Sequence, residues 1–183
     1  MEFEVMMKNR RSCRSYQDKA VSREDLVKIV EAGRLTPSGC NSQPWKFIVV
    51  DEADAKARLC DALVLENGGC SCAWRATVPA FFVICEKEAA VMPSVVEYFG
   101  TTKRFAQGDI GDAAMNMCHQ AMDLGLGTCI LGMVSQKKME EALGIPEGHE
   151  VRLVITVGYS AEKEFGSARP RKAAEEVYSF NRW

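Results

Sequence analysis

The sequence predicts an α+β fold, a sheet with helices packed around it, and three observations carry that prediction. Apolar runs of strand length, "KFIVVD", "VPAFFVICE", "GTCILGMV" and "VRLVITVGY", are spread along the chain. Segments with apolar residues at helical spacing lie between them. The strongest runs from about Asp109 to Leu124, where Ile110, Ala113, Ala114, Met117, Cys118 and Ala121 recur at i, i+3, i+4, i+7, i+8 and i+11. The two kinds of segment alternate irregularly, which disfavours a regular doubly wound sheet.

The elements follow in order. Ser22 opens a helix with Asp25 three residues on as a near-capping box, and Leu26, Ile29, Val30 and Gly33 share its inner face until the Thr36-Pro37 step ends it. "LTPSGCNSQPWKFIVV" then concentrates turn residues before a mostly buried strand. A second helix is expected from about Ala53 to Glu66, stopping at Gly68-Gly69. Ser135 caps a helix that ends at Gly144, and the last strand is expected to turn Val151, Leu153, Ile155 and Val157 to one face. The tail "RPRKAAEEVYSFNRW" suits a short helix and an extended end.

With 183 residues and 47% hydrophobic composition, the chain reads as one domain spanning 1–183 with a sizeable core. Its 23 basic and 25 acidic residues leave a net charge of -2, so no global field draws it to nucleic acid or an anionic membrane. Charges interrupt the N-terminal "MEFEVMMKNRR", and the longest apolar tract, Val78 to Cys85, is far short of a membrane span. The cytoplasm is the expected compartment. Eight cysteines include no C-x-x-C pair, and with only two histidines the spacing of a metal site is missing, so they read as small buried hydrophobes.

The candidates for chemistry are few. "NRRSCRSY" gathers Arg10, Arg11 and Arg14 around Ser12, a set of planar guanidinium groups and a hydroxyl suited to a phosphate; a solvated basic turn has the same composition. Arg169, Arg171 and Lys172 form a second basic cluster near the other end. "GLGTCILGMV" is neither a dinucleotide fingerprint nor a Walker loop; its glycines suit a helix end, and Gly132 also permits a flat ligand to approach the backbone. There is no G-x-S-x-G and no H-E-x-x-H. His119 falls within the core-like helix and His149 in an exposed loop. Such a chain offers a cradle more than a reactive side chain, which points to a cofactor that brings its own chemistry.

Taken in order, "RRSCRSY", "TPSGCNSQPWKF", "DIGDAAMNM…AMDLGLGTCILG", "LGIPEGHE", "ITVGY" and "RPRKAAEEV" resemble the FMN-dependent nitroreductase superfamily over nearly the whole chain. The resemblance implies a central, mostly antiparallel sheet flanked by helices, in an intertwined homodimer with FMN sites at the interface. It assigns the phosphate to Arg10, Ser12, Arg169 and Arg171 with Arg11 alongside, and the flavin's pyrimidine N1 and O2 edge to Arg14. Pro37, Ser38, Gly39 and Asn41 would reach across from the partner subunit, and Ile130, the Leu131 amide and Gly132 would face the N5 side. It implies NADH or NADPH as donor, a nitroaromatic or quinone as acceptor in a ping-pong cycle, and no catalytic side chain. Tyr98, Phe99, Lys103, Arg104 and Phe105 fit a substrate mouth or interface packing equally, and "GGCSCAWRA" departs from members that carry an Asn and a Lys against the ring. Flavin storage or redox sensing without turnover, and dehydrogenation or reductive dehalogenation, are the alternative functions.

Overall fold

The computed structural model describes residues 2–70, 72–162 and 169–183. Seven α-helices and four strands follow in order: α1 Phe3–Asn9, α2 Arg23–Arg34, β1 Trp45–Val50, α3 Ala53–Ala62, β2 Ala80–Glu86, α4 Pro93–Phe99, α5 Ala106–Asp123, β3 Gly127–Leu131, α6 Gln136–Leu143, β4 Glu150–Gly158 and α7 Ala174–Val177. The sheet order is β1-β2-β4-β3, and every neighbouring pair is antiparallel, so the α+β expectation holds.

Both faces of the sheet are covered, which is why β2 is an uninterrupted apolar run rather than an alternating one. Phe81, Val83 and Cys85 point to the side of Leu59 and Met139, on α3 and α6. Phe82 and Ile84 point to the side of Leu26, Ile29 and Met117, on α2 and α5. The periodic positions of α5 named above are all buried, as the spacing requires. Ser22 caps α2 by accepting from the Asp25 amide at 3.1 Å, and Ser135 caps α6 in the same way. Among the described residues no helix is long and apolar enough to cross a membrane.

Three local expectations are corrected. Val151 does not share a face with Leu153, Ile155 and Val157, because β4 carries a bulge: Ile84 faces Leu153 but Cys85 faces Val151, leaving Arg152 as the extra residue. Val151 thereby joins the α3/α6 side while the other three stay against α2 and α5. The helix after β1 ends at Ala62, not near Glu66, because Leu65 donates to the Gly69 carbonyl at 2.8 Å and a Val64–Cys70 bridge closes a small loop. β1 is an edge strand with Lys46 and Val49 exposed, less buried than its composition implies.

Met117 sits fully buried against Gly33 of α2 and the sheet. Met117→Ala is expected to lower stability by about 2–5 kcal/mol, measured as a drop in the denaturant midpoint with an unchanged slope.

Candidate functional site

The segment 10–16 leaves α1 and lies across the ends of β3 and β4. Cys13 donates its amide to the Thr128 carbonyl at 2.8 Å, and Ser12 and Tyr16 form bridges with Thr128 and Ser160. This contact depends on two glycines. A Cβ on Gly127 would lie 2.7 Å from the Cys13 Cβ, and one on Gly158 would lie 2.6 Å from Pro79 and 2.9 Å from the Tyr16 ring. The buried Tyr16 hydroxyl bonds to the Cys13 carbonyl at 3.0 Å and to Thr156 Oγ1 at 2.6 Å, and burial pushes its ionisation far above the ordinary phenol. Tyr16 therefore pins the segment as a neutral donor.

So held, the segment gathers its polar groups around one sulfur. Burial raises the Cys129 thiol, and the Arg14 charge, the Ser12 hydroxyl and the Arg10 charge each pull it back, so all three candidates converge on β3. Arg10 reaches Cys118 Sγ at 3.5 Å through Nη2, while its buried Nε–H has no acceptor. A buried donor without a partner costs on the order of 1–3 kcal/mol. Among the described residues no carboxylate pairs with Arg10 or Arg14. An unneutralised cation, a buried unmet N–H and an adjacent hydroxyl are the donor set that a phosphate monoester satisfies. Directly after Cys129 come half-buried Ile130 and buried Leu131, and just past the end of β3 exposed Gly132, on which an added Cβ would meet nothing.

The turn 37–43 forms a second unit. Cys40, Asn41 and Gln43 all have positive φ, at 55°, 51° and 46°. Three non-glycine residues in the left-handed region within four positions are a concentration of backbone strain, and such strain persists only where surrounding bonds fix it. The Ser38 hydroxyl accepts from the Gln43 amide at 2.9 Å, Thr36 accepts from Asn116 at 2.8 Å, and the Asp109 carboxylate accepts from the Gly39 amide at 3.1 and 3.2 Å. Ser38 and the Gly39 amide thus hold the turn itself. Pro37, Cys40, Asn41 and Gln43 are its exposed members, and the Asn41 side chain meets no hydrogen-bond partner among the described residues.

Phe105 packs against Gly39, and its ring meets Phe99 edge-on at 5.6 Å, which in turn meets Tyr98 at 4.8 Å. The tentative substrate residues therefore join the turn, with Arg104 over Phe99 at 5.2 Å, while Lys103 faces buried Glu86 at 4.0 Å. This unit adjoins the first turn of α5 at Asp109, and the arginine cluster adjoins Cys118, roughly 13 Å further along the helix. The two groups thus meet α5 at different points along its length. Arg169 and Arg171 are exposed, as is every residue from 169 to 183, and Arg171 donates to the Pro170 carbonyl.

Asp109, Gly127 and Trp74 matter here without having been singled out for these contacts. Arg14 lies 5.6 Å over the Trp74 ring. Arg75 donates to Cys70 Sγ at 3.5 Å, and Ser71 lies outside the described residues. All eight cysteines are free thiols; burial pushes Cys72 up to about 12 and Cys85 up to about 11, which removes both as thiolate nucleophiles near neutrality. Cys40 is exposed, and nothing in the structure explains it. His149, expected to be exposed, is half-buried.

The model of the Nitroreductase family matches residues 7–67 and 73–159. The chain belongs to this family. A relative from Archaeoglobus fulgidus, named as an NADH dehydrogenase/NAD(P)H nitroreductase, is 32% identical over 178 residues, covering 94% of each chain. An FMN-dependent nitroreductase from Clostridium difficile R20291 superposes with a TM-score of 0.76 at 27% identity over 97% of this chain and 98% of that one. A nitroreductase from Exiguobacterium sibiricum solved in complex with FMN shares the fold at a TM-score of 0.81 and 22% identity, over 98% and 97% of the two chains.

Two outcomes are expected of this nitroreductase-family chain. Gly127→Ala drives a methyl into the Cys13 Cβ, which has no room to turn aside; it should lose about 1–3 kcal/mol of stability and weaken phosphate-ligand binding, both read from thermal melts with and without ligand. His119 has its ionisation lowered by burial first and by Arg10 second. The unfolded chain therefore binds this proton at a higher pH than the folded one, and the His119 contribution falls as pH drops through the ordinary value of 6.5. Denaturant midpoints from pH 7.5 to 5 should fall less steeply in His119→Gln than in the parent.

Proposed function

We propose that this chain is an FMN-dependent NAD(P)H oxidoreductase of the cytoplasm, forming one nitroreductase-like domain over 1–183 and acting as a homodimer with two shared cofactor sites. The observation that carries the reading is the buried, unpaired Nε–H of Arg10 beside the Ser12 hydroxyl, a demand that a phosphate would meet.

In this reading Arg10 and Ser12 bind the FMN phosphate, with Arg11 alongside and Arg169 and Arg171 closing over it from the tail. Arg14 offsets the negative charge that gathers at the pyrimidine edge on reduction. The Leu131 amide and Gly132 leave the N5 side open. When bound, FMN supplies the redox chemistry, accepting hydride at N5 from NADH or NADPH and passing electrons to an electron-poor acceptor such as a nitroaromatic or quinone. Pro37, Ser38, Gly39 and Asn41 belong to the partner's half of the site, in keeping with the roughly 13 Å along α5 that separates the turn from the arginine cluster of its own chain. Tyr98, Phe99 and Phe105, joined to that turn through Gly39, offer flat apolar surface to the acceptor.

Anaerobic titration of the FMN-loaded protein tests turnover. NADH or NADPH should bleach the flavin bands, and a nitroaromatic or quinone should restore them. A bound flavin that neither nucleotide bleaches would support storage or sensing instead. Replacing both Arg169 and Arg171 with Ala should weaken FMN binding at least tenfold in an equilibrium titration; unchanged affinity would remove the tail from the phosphate site.

A further inference from the structure

Arg14 has an unusual setting for the cation of a redox site. It is exposed, meets no carboxylate among the described residues, and has one hydrogen bond, from Nη1 to the Ser12 carbonyl at a long 3.5 Å. A side chain with this many rotatable bonds and so weak a tether would sample many directions. What it has instead is a face: its guanidinium carbon stands 5.6 Å from the centroid of the Trp74 ring, within the range of a cation–π contact.

Trp74 is built to be that face. Its ring is half-buried and packs against the core on the α3/α6 side of the sheet. Its carbonyl accepts from both the Thr77 amide at 3.1 Å and the Thr77 hydroxyl at 2.9 Å, fixing the backbone at a 3₁₀ turn. The indole Nε1–H is buried with no acceptor, so no hydrogen bond orients the ring; packing alone sets it. The neighbouring cation is not available for the same task. Arg75 turns its Nη1 to Cys70 Sγ, and its carbonyl receives the Cys60 thiol at 3.4 Å.

We propose that Trp74 is a positioning residue whose indole face holds the Arg14 guanidinium against the pyrimidine edge of FMN, and so sets how strongly the protein prefers the reduced cofactor. The inference rests on the FMN reading above. A positive charge fixed near the atoms that gain negative charge stabilises the reduced form more than the oxidised one, and the same charge allowed to wander into water does so less. Trp74 acts only through Arg14, without touching a reacting atom. Its influence on the cofactor therefore appears in the reduction potential, apart from what its packing against the core contributes to stability.

The test uses FMN-loaded protein and two apolar substitutions: Trp74→Leu, which removes the aromatic face, and Trp74→Phe, which keeps one. Equilibrium reduction against a reference dye gives the potential, and FMN titration gives the affinity for the oxidised form. Trp74→Leu is expected to lose roughly 2- to 5-fold in preference for reduced over oxidised FMN, with a correspondingly more negative potential. Trp74→Phe should recover most of the loss. Arg14→Ala should lose at least as much as Trp74→Leu, and adding Trp74→Leu to Arg14→Ala should change nothing further, because the two act as one unit. An unmoved potential in Trp74→Leu, a loss in Trp74→Phe equal to that in Trp74→Leu, or additive effects of the Arg14 and Trp74 changes would overturn the proposal while leaving the FMN reading intact. A parent protein that binds no FMN would overturn both.

Discussion

The lie of residues 10–16 across the ends of β3 and β4 is the contact on which the candidate site depends. Arg10, Arg11 and Ser12 sit on that segment, and the segment has no strand or helix of its own to hold it. Two glycines let its backbone approach, one amide anchors it to Thr128, and the buried Tyr16 hydroxyl closes it onto Thr156. The result is a basic cluster on a rigid base, where reorientation costs little when an anion arrives. A flexible arm bearing the same arginines would have to lose side-chain and backbone freedom on every binding event.

Helix α5 is the second organiser. Its buried stripe fastens it to α2 and the sheet, and its two ends serve different tasks: Asp109 holds the strained turn through the Gly39 amide, and Cys118 and His119 flank Arg10. A single rigid helix thereby fixes the distance between the turn and the phosphate cluster. The tail leaves Val177, Tyr178, Phe180 and Trp183 exposed, apolar surface that the proposed second copy would cover.

Much of this was legible in the sequence where a local pattern had a single physical solution. The stripe of α5, the Ser22 and Ser135 caps and the buried run of β2 follow from periodicity and capping chemistry alone. α1 was not legible, because charges break its short apolar pattern and its Phe3 finds its partner in distant His119. The bulge at Arg152 was hidden because both faces of β4 are buried, so Val154 and Thr156 are as enclosed as the residues expected to define the inner face. Gly127 read as an ordinary residue past a helix end, since its close neighbour Cys13 is far off in sequence. Arg14 and Trp74 were each visible, but nothing local joins residues sixty positions apart. The bonds that hold the turn's own shape, from the Gly39 amide to Asp109 and from the Gln43 amide to Ser38, were not legible either, because Asp109 lies seventy positions away.

If Arg10 and Ser12, with Arg11 alongside, hold the phosphate of FMN, then FMN and riboflavin should bind this chain very differently. The two ligands share the same ring and differ in the phosphate alone, and each charged hydrogen bond contributes about 1.5–3 kcal/mol. Equilibrium titration followed by quenching of flavin fluorescence should show FMN binding at least ~100-fold more tightly than riboflavin, with the advantage shrinking as salt rises. Equal affinity for the two at low salt would contradict the account.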